Sequence, residues 1–269
     1  LEWESDRVST NKDVIAELAS TFVAAEQERA PLEPIAALHP DLTAEDAYRV
    51  QAAVVATKVR SGDRVVGRKV GATSQVVQQL LGIDEPIYGT LLESLRVESG
   101  GEIPLSHLIH PRVECEIAFL LGEDLTGPGA TVADVLAATE GVAASLEIND
   151  PRTQGWRIGM LEAIADNGLA ARFLLGERWL SVEDLDLPNV AVVLKKNAEE
   201  VAEATGAAVL GHPARAVAWL ADKLAEHHQG LEAGQVVLPG SLTPIYPVEA
   251  GDNIEAEFEA LQSVSVRFA

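Results

Sequence analysis

The stretch Arg112-Val113-Glu114-Cys115-Glu116-Ile117-Ala118-Phe119-Leu120 decides the reading of this chain. It alternates as a β-strand does, with successive side chains pointing to opposite faces. One face carries Val113, Cys115, Ile117 and Phe119, and the other sets Glu114 and Glu116 side by side. Like charges at that spacing repel, and removal from water makes the repulsion worse. A second apolar run, Val142-Ala143-Ala144-Ser145-Leu146-Glu147-Ile148, places Glu147 where a buried strand should be hydrophobic. Glu114, Glu116 and Glu147 make a hard, all-oxygen ligand set suited to Mg²⁺ or Mn²⁺. The plainer alternative is a solvated strand face with Glu147 at a strand end.

The chain has 269 residues, 47% of them hydrophobic, which is enough for one large domain with a sizeable core. Its formal net charge of −22 argues against nucleic acid or an anionic membrane as a partner. The acidic residues are spread along the chain, as a solubility trait would be. Cys115 is the only cysteine, so no disulfide can form within the chain, which fits a reducing cytoplasm. The segment Leu1 to Lys12 is polar and lacks the apolar core of a signal peptide. No run is long enough to span a bilayer, so a soluble, cytoplasmic protein is expected.

Periodicity divides the chain into helices followed mainly by strands. Asp13 to Gln27 has helical spacing, and Thr43 with Asp46 forms a capping box opening a helix to about Arg60. Residues 1–62 are therefore expected as a helical segment and 63–269 as the catalytic domain, with one continuous domain as the alternative. Val65 to Gly71 reads as a strand, and Thr73-Ser74 cap a short helix ending at Gly82. Thr131 with Asp134 caps another helix to about Gly141, and Arg157 to Ala165 reads as helical. Asn189 to Leu194 pairs through a turn at Lys196-Asn197 with a strand near Glu200 to Ala204. Pro213 opens the most amphipathic helix, with His212 as its cap. Val236 to Leu238, Ile254 to Phe258 and Val264 to Phe268 are closing strands. The fold class expected from this order is α+β with a mainly β core.

Together these residues resemble the fumarylacetoacetate hydrolase superfamily, in its branch of 2-oxopent-4-enoate hydratases and 4-oxalocrotonate decarboxylases. The resemblance runs from about Leu42 to Phe268. It is carried by Gly67-Arg68-Lys69-Val70-Gly71-Ala72-Thr73-Ser74, Pro86-Ile87-Tyr88-Gly89, the Glu114-Glu116 strand, Leu146-Glu147-Ile148-Asn149-Asp150, Ala165-Asp166-Asn167, Gly211-His212-Pro213 and Gly240-Ser241-Leu242. It implies a mixed β-roll core, a divalent ion on Glu114, Glu116 and Glu147, and a homo-oligomer that could join a neighbouring pathway enzyme. Two departures stand out. Gly168-Leu169-Ala170-Ala171 replaces the hydroxyl residues usual after Asp166-Asn167, and Gln262 replaces a usual glycine.

A 2-oxo acid can chelate a divalent ion through its carboxylate and 2-oxo oxygen, which stabilises an enolate. The implied reaction adds water to 2-hydroxypenta-2,4-dienoate, the enol of 2-oxopent-4-enoate, to give a 4-hydroxy-2-oxo acid in meta-cleavage aromatic degradation. The alternatives are decarboxylation of 2-oxo-3-hexenedioate, hydrolysis of an acylpyruvate, and a non-catalytic scaffold subunit. Lys69, in an apolar strand, reads either as an electrophile or proton donor beside the enolate or as a lysine reaching the surface. Ser241 reads as a binder of the substrate carboxylate or as a turn serine, and Asp84 as a proton shuttle or a turn residue. His39 is placed on a loop that could cover the site. No Gly-x-Ser-x-Gly elbow or P-loop is present.

Overall fold

The computed structural model describes the backbone of residues 2–269 and the side chains of residues 12–269. The reading of Leu1 to Lys12 lies, Lys12 apart, outside those side chains. The helical segment comprises α1 (Glu2–Glu28), α2 (Ile35–Leu38) and α3 (Ala44–Arg60). α1 starts well before the expected Asp13. α3 starts where its capping box predicts: Thr43 Oγ1 accepts the Asp46 N–H and the Asp46 carboxylate accepts the Thr43 N–H, each at 3.2 Å. These bonds satisfy amides that the first helical turn leaves without partners.

After these come β1 (Val65–Gly71), α4 (Gln75–Leu81), β2 (Ile87–Leu92), β3 (Arg96–Glu98), β4 (Gly101–Ile103) and β5 (Arg112–Leu121). The chain continues through α5 (Val132–Ala138), β6 (Thr139–Asn149), α6 (Met160–Ala165), β7 (Ala170–Leu175), β8 (Ala191–Lys196) and β9 (Glu199–Thr205). It closes with α7 (Pro213–Ala225), β10 (Val236–Leu238), β11 (Tyr246–Pro247), β12 (Asn253–Phe258) and β13 (Gln262–Phe268). Three further boundaries differ from the sequence reading. α5 stops at Ala138 because Thr139 to Gly141 already pair in β6. α6 begins at Met160, since Gln154–Trp156 is a separate tight turn with Gly155 and Trp156 at positive φ. β8 begins at Ala191, after a one-turn helix at Leu187–Asn189 that contains Pro188.

Among the described residues, one eight-stranded sheet runs β2-β1-β10-β5-β6-β7-β3, with β11 also paired to β5. β1 with β10 and β3 with β7 are parallel, and the other pairs of this sheet are antiparallel. One turn, Glu93–Leu95, joins the two end strands β2 and β3, so the sheet curls back on itself. The second sheet runs β4-β13-β12-β8-β9. The closing strands thus divide: β10 lies inside the curled sheet, while β12 and β13 pair in the other. This is the expected α+β architecture with a curled, mixed β core.

The two faces of β5 serve two different interiors. Val113, Cys115, Ile117 and Phe119 join Leu146 and Ile148 of β6, Ile254 and Val266 of the second sheet, and Leu220 of α7 in one buried cluster. Each such large apolar side chain contributes roughly 1.5–3 kcal/mol on full burial. Ala118, on the opposite face, meets Leu91, Phe173 and Leu238 in a separate cluster inside the curl. A third cluster packs Leu18 and Phe22 of α1 and Val50 of α3 against Ile164 of α6 and Ile87 of β2. Buried Gln51 ties this layer together, donating to the carbonyls of Tyr88 at 2.9 Å and Ile164 at 2.8 Å. The N-terminal helices are therefore packed against the elements that flank the glutamates.

Candidate metal centre

β5 and β6 pair antiparallel in a register that sets Glu114 opposite Glu147. Residues opposite one another on one face of such a pair have Cβ atoms about 4.5–5.5 Å apart, and Glu116 follows two positions on. One oxygen from each of the three carboxylates lies within 4.8 Å of the others. Glu116 and Glu147 are fully buried, while Glu114 is partly exposed and marks the open side of the cluster. The solvated-face alternative is thereby excluded for Glu116 and Glu147.

The hydrogen bonds around the cluster leave it incomplete. Asn149 Nδ2 donates to Glu114 Oε1 at 2.8 Å, and the Gly240 N–H donates to Glu116 Oε2 at 2.7 Å. Glu116 Oε1 and both oxygens of Glu147 accept no hydrogen bond. Lys69, buried on β1, sets its Nζ 3.1 Å from Glu147 Oε2 in a buried ion pair. It also donates to the Gly168 carbonyl at 2.9 Å. Buried carboxylate oxygens without partners cost far more than exposed ones. A divalent cation is the partner that three convergent carboxylates would satisfy, so the residues present fit Mg²⁺ or Mn²⁺.

The titration behaviour follows from burial and crowding. Burial, then the neighbouring charges of Glu147 and Glu114, raise Glu116 well above the usual carboxylate range. Burial pushes Glu147 up to about 7, against the pull of Lys69. For Lys69, burial works against the ammonium, but the charges of Glu147, Glu114 and Glu116 outweigh it and hold the group above its ordinary value. The acidic neighbours thus favour the ammonium form of Lys69 despite its burial.

The turn that presents Gly168 was quoted in the sequence as Asp166-Asn167 without a role. Asn167, Gly168 and Leu169 have φ of 53°, 61° and 67°, three successive residues in the left-handed region. For the two that are not glycine this costs roughly 1–2 kcal/mol each. Two anchors hold the turn. The Asn167 side chain donates to the Thr90 carbonyl at 2.9 Å and accepts the Thr90 N–H at 2.7 Å. Arg152, buried, ion-pairs with Asp166 and donates to the Asp166 carbonyl at 3.0 Å and the Ala170 carbonyl at 3.3 Å. Gly89 lets the turn approach β2, since a Cβ there would lie 2.4 Å from the Asn167 carbonyl oxygen.

Sequence reasoning missed Arg152, Asn149 and the two backbone groups, Gly240 N–H and Gly168 C=O. Asn149 could have been found, because it lies two residues from Glu147 on the same strand face. Of the residues the sequence singled out, the structure brings together Lys69, Glu114, Glu116 and Glu147. Ser241 sits beside them, next to Gly240, with its hydroxyl donating to the Thr243 carbonyl at 2.6 Å. Asp84 is exposed after α4, and His39 ends α2 with its backbone N–H on Ile35. Neither side chain hydrogen-bonds or ion-pairs with the cluster among the described contacts. His212 caps α7, its Nδ1 accepting from the Ala214 N–H at 3.1 Å.

Known proteins resemble this chain over most of its length. The family model described as fumarylacetoacetate (FAA) hydrolase C-terminal matches residues 59–269. The chain is 41% identical to a 2-hydroxyhexa-2,4-dienoate hydratase of Comamonas testosteroni over 239 residues, covering 88% of this chain and 90% of that one. It is 40% identical to a 4-oxalocrotonate decarboxylase of Pseudomonas sp. (strain CF600), covering 98% and 99%. It is 38% identical to a 2-keto-4-pentenoate hydratase of Paraburkholderia xenovorans, covering 94% of each. Among solved structures, the 4-oxalocrotonate decarboxylase of Pseudomonas putida G7 with magnesium and adipate superposes with a TM-score of 0.94 at 37% identity, covering 96% of this chain and 98% of that one. The curled sheets, the buried glutamates and these likenesses agree: the chain belongs to the fumarylacetoacetate hydrolase family.

Proposed function

We propose that this chain is a divalent-metal-dependent hydratase that adds water to 2-hydroxypenta-2,4-dienoate or a close analogue, giving a 4-hydroxy-2-oxo acid. The observation that carries the reading is the buried cluster of Glu114, Glu116 and Glu147, with Glu116 Oε1 and Glu147 Oε1 unpartnered and Lys69 ion-paired at its edge. Relatives at 38–41% identity that are named dienoate or pentenoate hydratases support the substrate class. Bound by the three glutamates, Mg²⁺ or Mn²⁺ supplies Lewis-acid polarisation of a chelating 2-oxo acid.

The chain's own groups do the rest. Lys69 Nζ has one proton on the Gly168 carbonyl, faces Glu147 with a second, and has a third for an oxygen on which enolate charge develops, where a positioned cation acts most strongly. Leu91, Phe173 and Leu238 close the inside of the curl and exclude water from one side. Ser241 is the proposed contact for the substrate carboxylate. A proton-relay role for Asp84 and a covering role for His39 belong to the reading but have no contact in their support.

Assay of 2-hydroxypenta-2,4-dienoate with Mg²⁺ or Mn²⁺, and after chelation, tests the proposal. Metal-dependent loss of the dienoate chromophore with formation of a 4-hydroxy-2-oxo acid is the expected result. The second reading, 4-oxalocrotonate decarboxylase, is favoured by the likeness to two such enzymes along nearly the whole chain. Release of carbon dioxide from 2-oxo-3-hexenedioate, with no hydration of the dienoate, would replace the first reading by the second.

The proposal includes a homo-oligomer in the cytoplasm, with association with a neighbouring pathway enzyme as an extension. Val76, Val77 and Leu80 of α4 are exposed apolar residues that an oligomer could cover. No described helix is long and apolar enough to cross a membrane. Sedimentation velocity tests the subunit number.

A further inference from the structure

We propose that the left-handed turn Asn167–Leu169, clamped by Arg152 and Asn167, is a positioning device that aims the Lys69 ammonium. This rests on the role given to Lys69 under the proposed function. The observation is a chain of contacts with no slack. Arg152 is buried and holds both ends of the turn, through the Asp166 carboxylate and carbonyl on one side and the Ala170 carbonyl on the other. The Asn167 amide is fully engaged with the backbone of Thr90 on β2. Between these clamps the Gly168 carbonyl accepts from Lys69 Nζ at 2.9 Å.

The geometry explains why the turn is built from these residues. Gly168 is free to adopt a φ of 61°, and a Cβ there would lie 2.9 Å from Lys69 Cδ, displacing the lysine stem. Leu169 has no such freedom, yet it shares the conformation, with its backbone N–H on the Asp166 carbonyl at 2.8 Å. Strained backbone persists only where its surroundings over-determine it, and such places cluster at functional sites. An ammonium on a flexible four-carbon stem would otherwise swing fully onto the carboxylate of Glu147. Here Nζ is held between the Gly168 carbonyl at 2.9 Å and Glu147 Oε2 at 3.1 Å, so the carbonyl fixes where the ammonium stands beside the carboxylate. The third donor of the ammonium is left for substrate. Among the described residues, neither the Arg152 nor the Asn167 side chain hydrogen-bonds or ion-pairs with Glu114, Glu116 or Glu147, so they are positioning residues and not catalytic ones.

Removing Arg152 would strand the buried Asp166 charge and could unfold the chain, so the test uses Asn167. Asn167→Gly tolerates the positive φ and removes both bonds to Thr90; Asn167→Asp keeps the acceptor half. Each is made alone and together with Lys69→Met, with melting temperature as the control for folding. Two readouts are taken: kcat on the dienoate, and the dissociation constant of 2-oxopentanoate for the Mn²⁺-loaded protein. If the turn acts through the lysine, Asn167→Gly lowers kcat about tenfold, as misplacement of a reacting group does, and weakens 2-oxopentanoate several-fold. The affinity for Mn²⁺ itself stays within about twofold, and both losses shrink below about twofold when Lys69 is already Met. Equal losses with and without Lys69, or no loss in its presence, overturn the proposal. Absence of dienoate turnover by the unaltered chain would sink the functional reading instead, and the binding cycle would still decide the turn.

Discussion

Glu116 is buried beside two other carboxylates and has one oxygen without a hydrogen-bond partner. In the metal-free protein its charged form is opposed first by burial and then by Glu147 and Glu114. Glu116→Gln keeps the shape and an acceptor for the Gly240 N–H while removing that charge. It should therefore leave the metal-free fold intact and reduce the stability lost as pH rises, because a group that must deprotonate in the interior is gone. The same substitution should abolish tight Mn²⁺ binding, and calorimetry with thermal melting checks both. Lys69 carries the complementary prediction. Lys69→Met should keep the fold and Mn²⁺ affinity but lower kcat roughly 10²–10³-fold, the scale of losing one preorganised donor. Lys69→Arg should rescue poorly, since a planar fork does not replace a compact ammonium. Near-normal turnover of Lys69→Met would return Lys69 to the role of a structural partner for Glu147. At this scale the sequence was legible for the three carboxylates and Lys69, whose charges stand out in apolar strands, but not for the Asn149 side chain on Glu114. The Gly240 amide and the Gly168 carbonyl were not, because any residue type has them.

At the scale of elements, the site is the β5–β6 pair, and its strand period was readable because charge alternates with apolar residues along Arg112–Leu120. The register between the strands was not readable, although it is what sets Glu114 against Glu147. The pair should also titrate as a unit. Glu147 moves from an ordinary 4.5 to about 7 in the fold, and Glu116 moves the same way. A carboxyl raised in the fold means that the folded protein binds more protons than the unfolded chain between those two values. Stability then falls as pH rises through that window. The metal-free protein should thus melt at progressively lower temperature from about pH 4.5 to pH 7 as Glu147 titrates, with Glu116 adding to the same downward slope. Saturating Mg²⁺ should reverse the slope, because the ion binds the deprotonated carboxylates and releases their protons. Melting curves across that range, with Mg²⁺ and with chelator, check the sign. A metal-free melting temperature that rises through the window would contradict the crowded-carboxylate account.

For the whole molecule, the α+β class and the early helices followed from periodicity and caps, as at Thr43 and Asp46. The path of the curled sheet did not. β10 is only three residues long and inserts between β1 and β5, a placement set by tertiary packing and not by any local signal in Val236-Val237-Leu238. Arg152 was missed for a similar reason: its partner Asp166 lies 14 positions away and the pair is buried. The boundary drawn near residue 62 separates composition more than packing, because α1 and α3 share a core with α6 and β2. The central claim is that the fold brings Glu114, Glu116 and Glu147 onto one divalent ion. Anomalous diffraction from crystals grown with Mn²⁺ tests it directly. The predicted result is one anomalous peak at the cluster in each chain, bonded to an oxygen of all three glutamates. A cluster that stays empty at saturating Mn²⁺, or an ion bound elsewhere while the three carboxylates remain apart from it, would contradict the account.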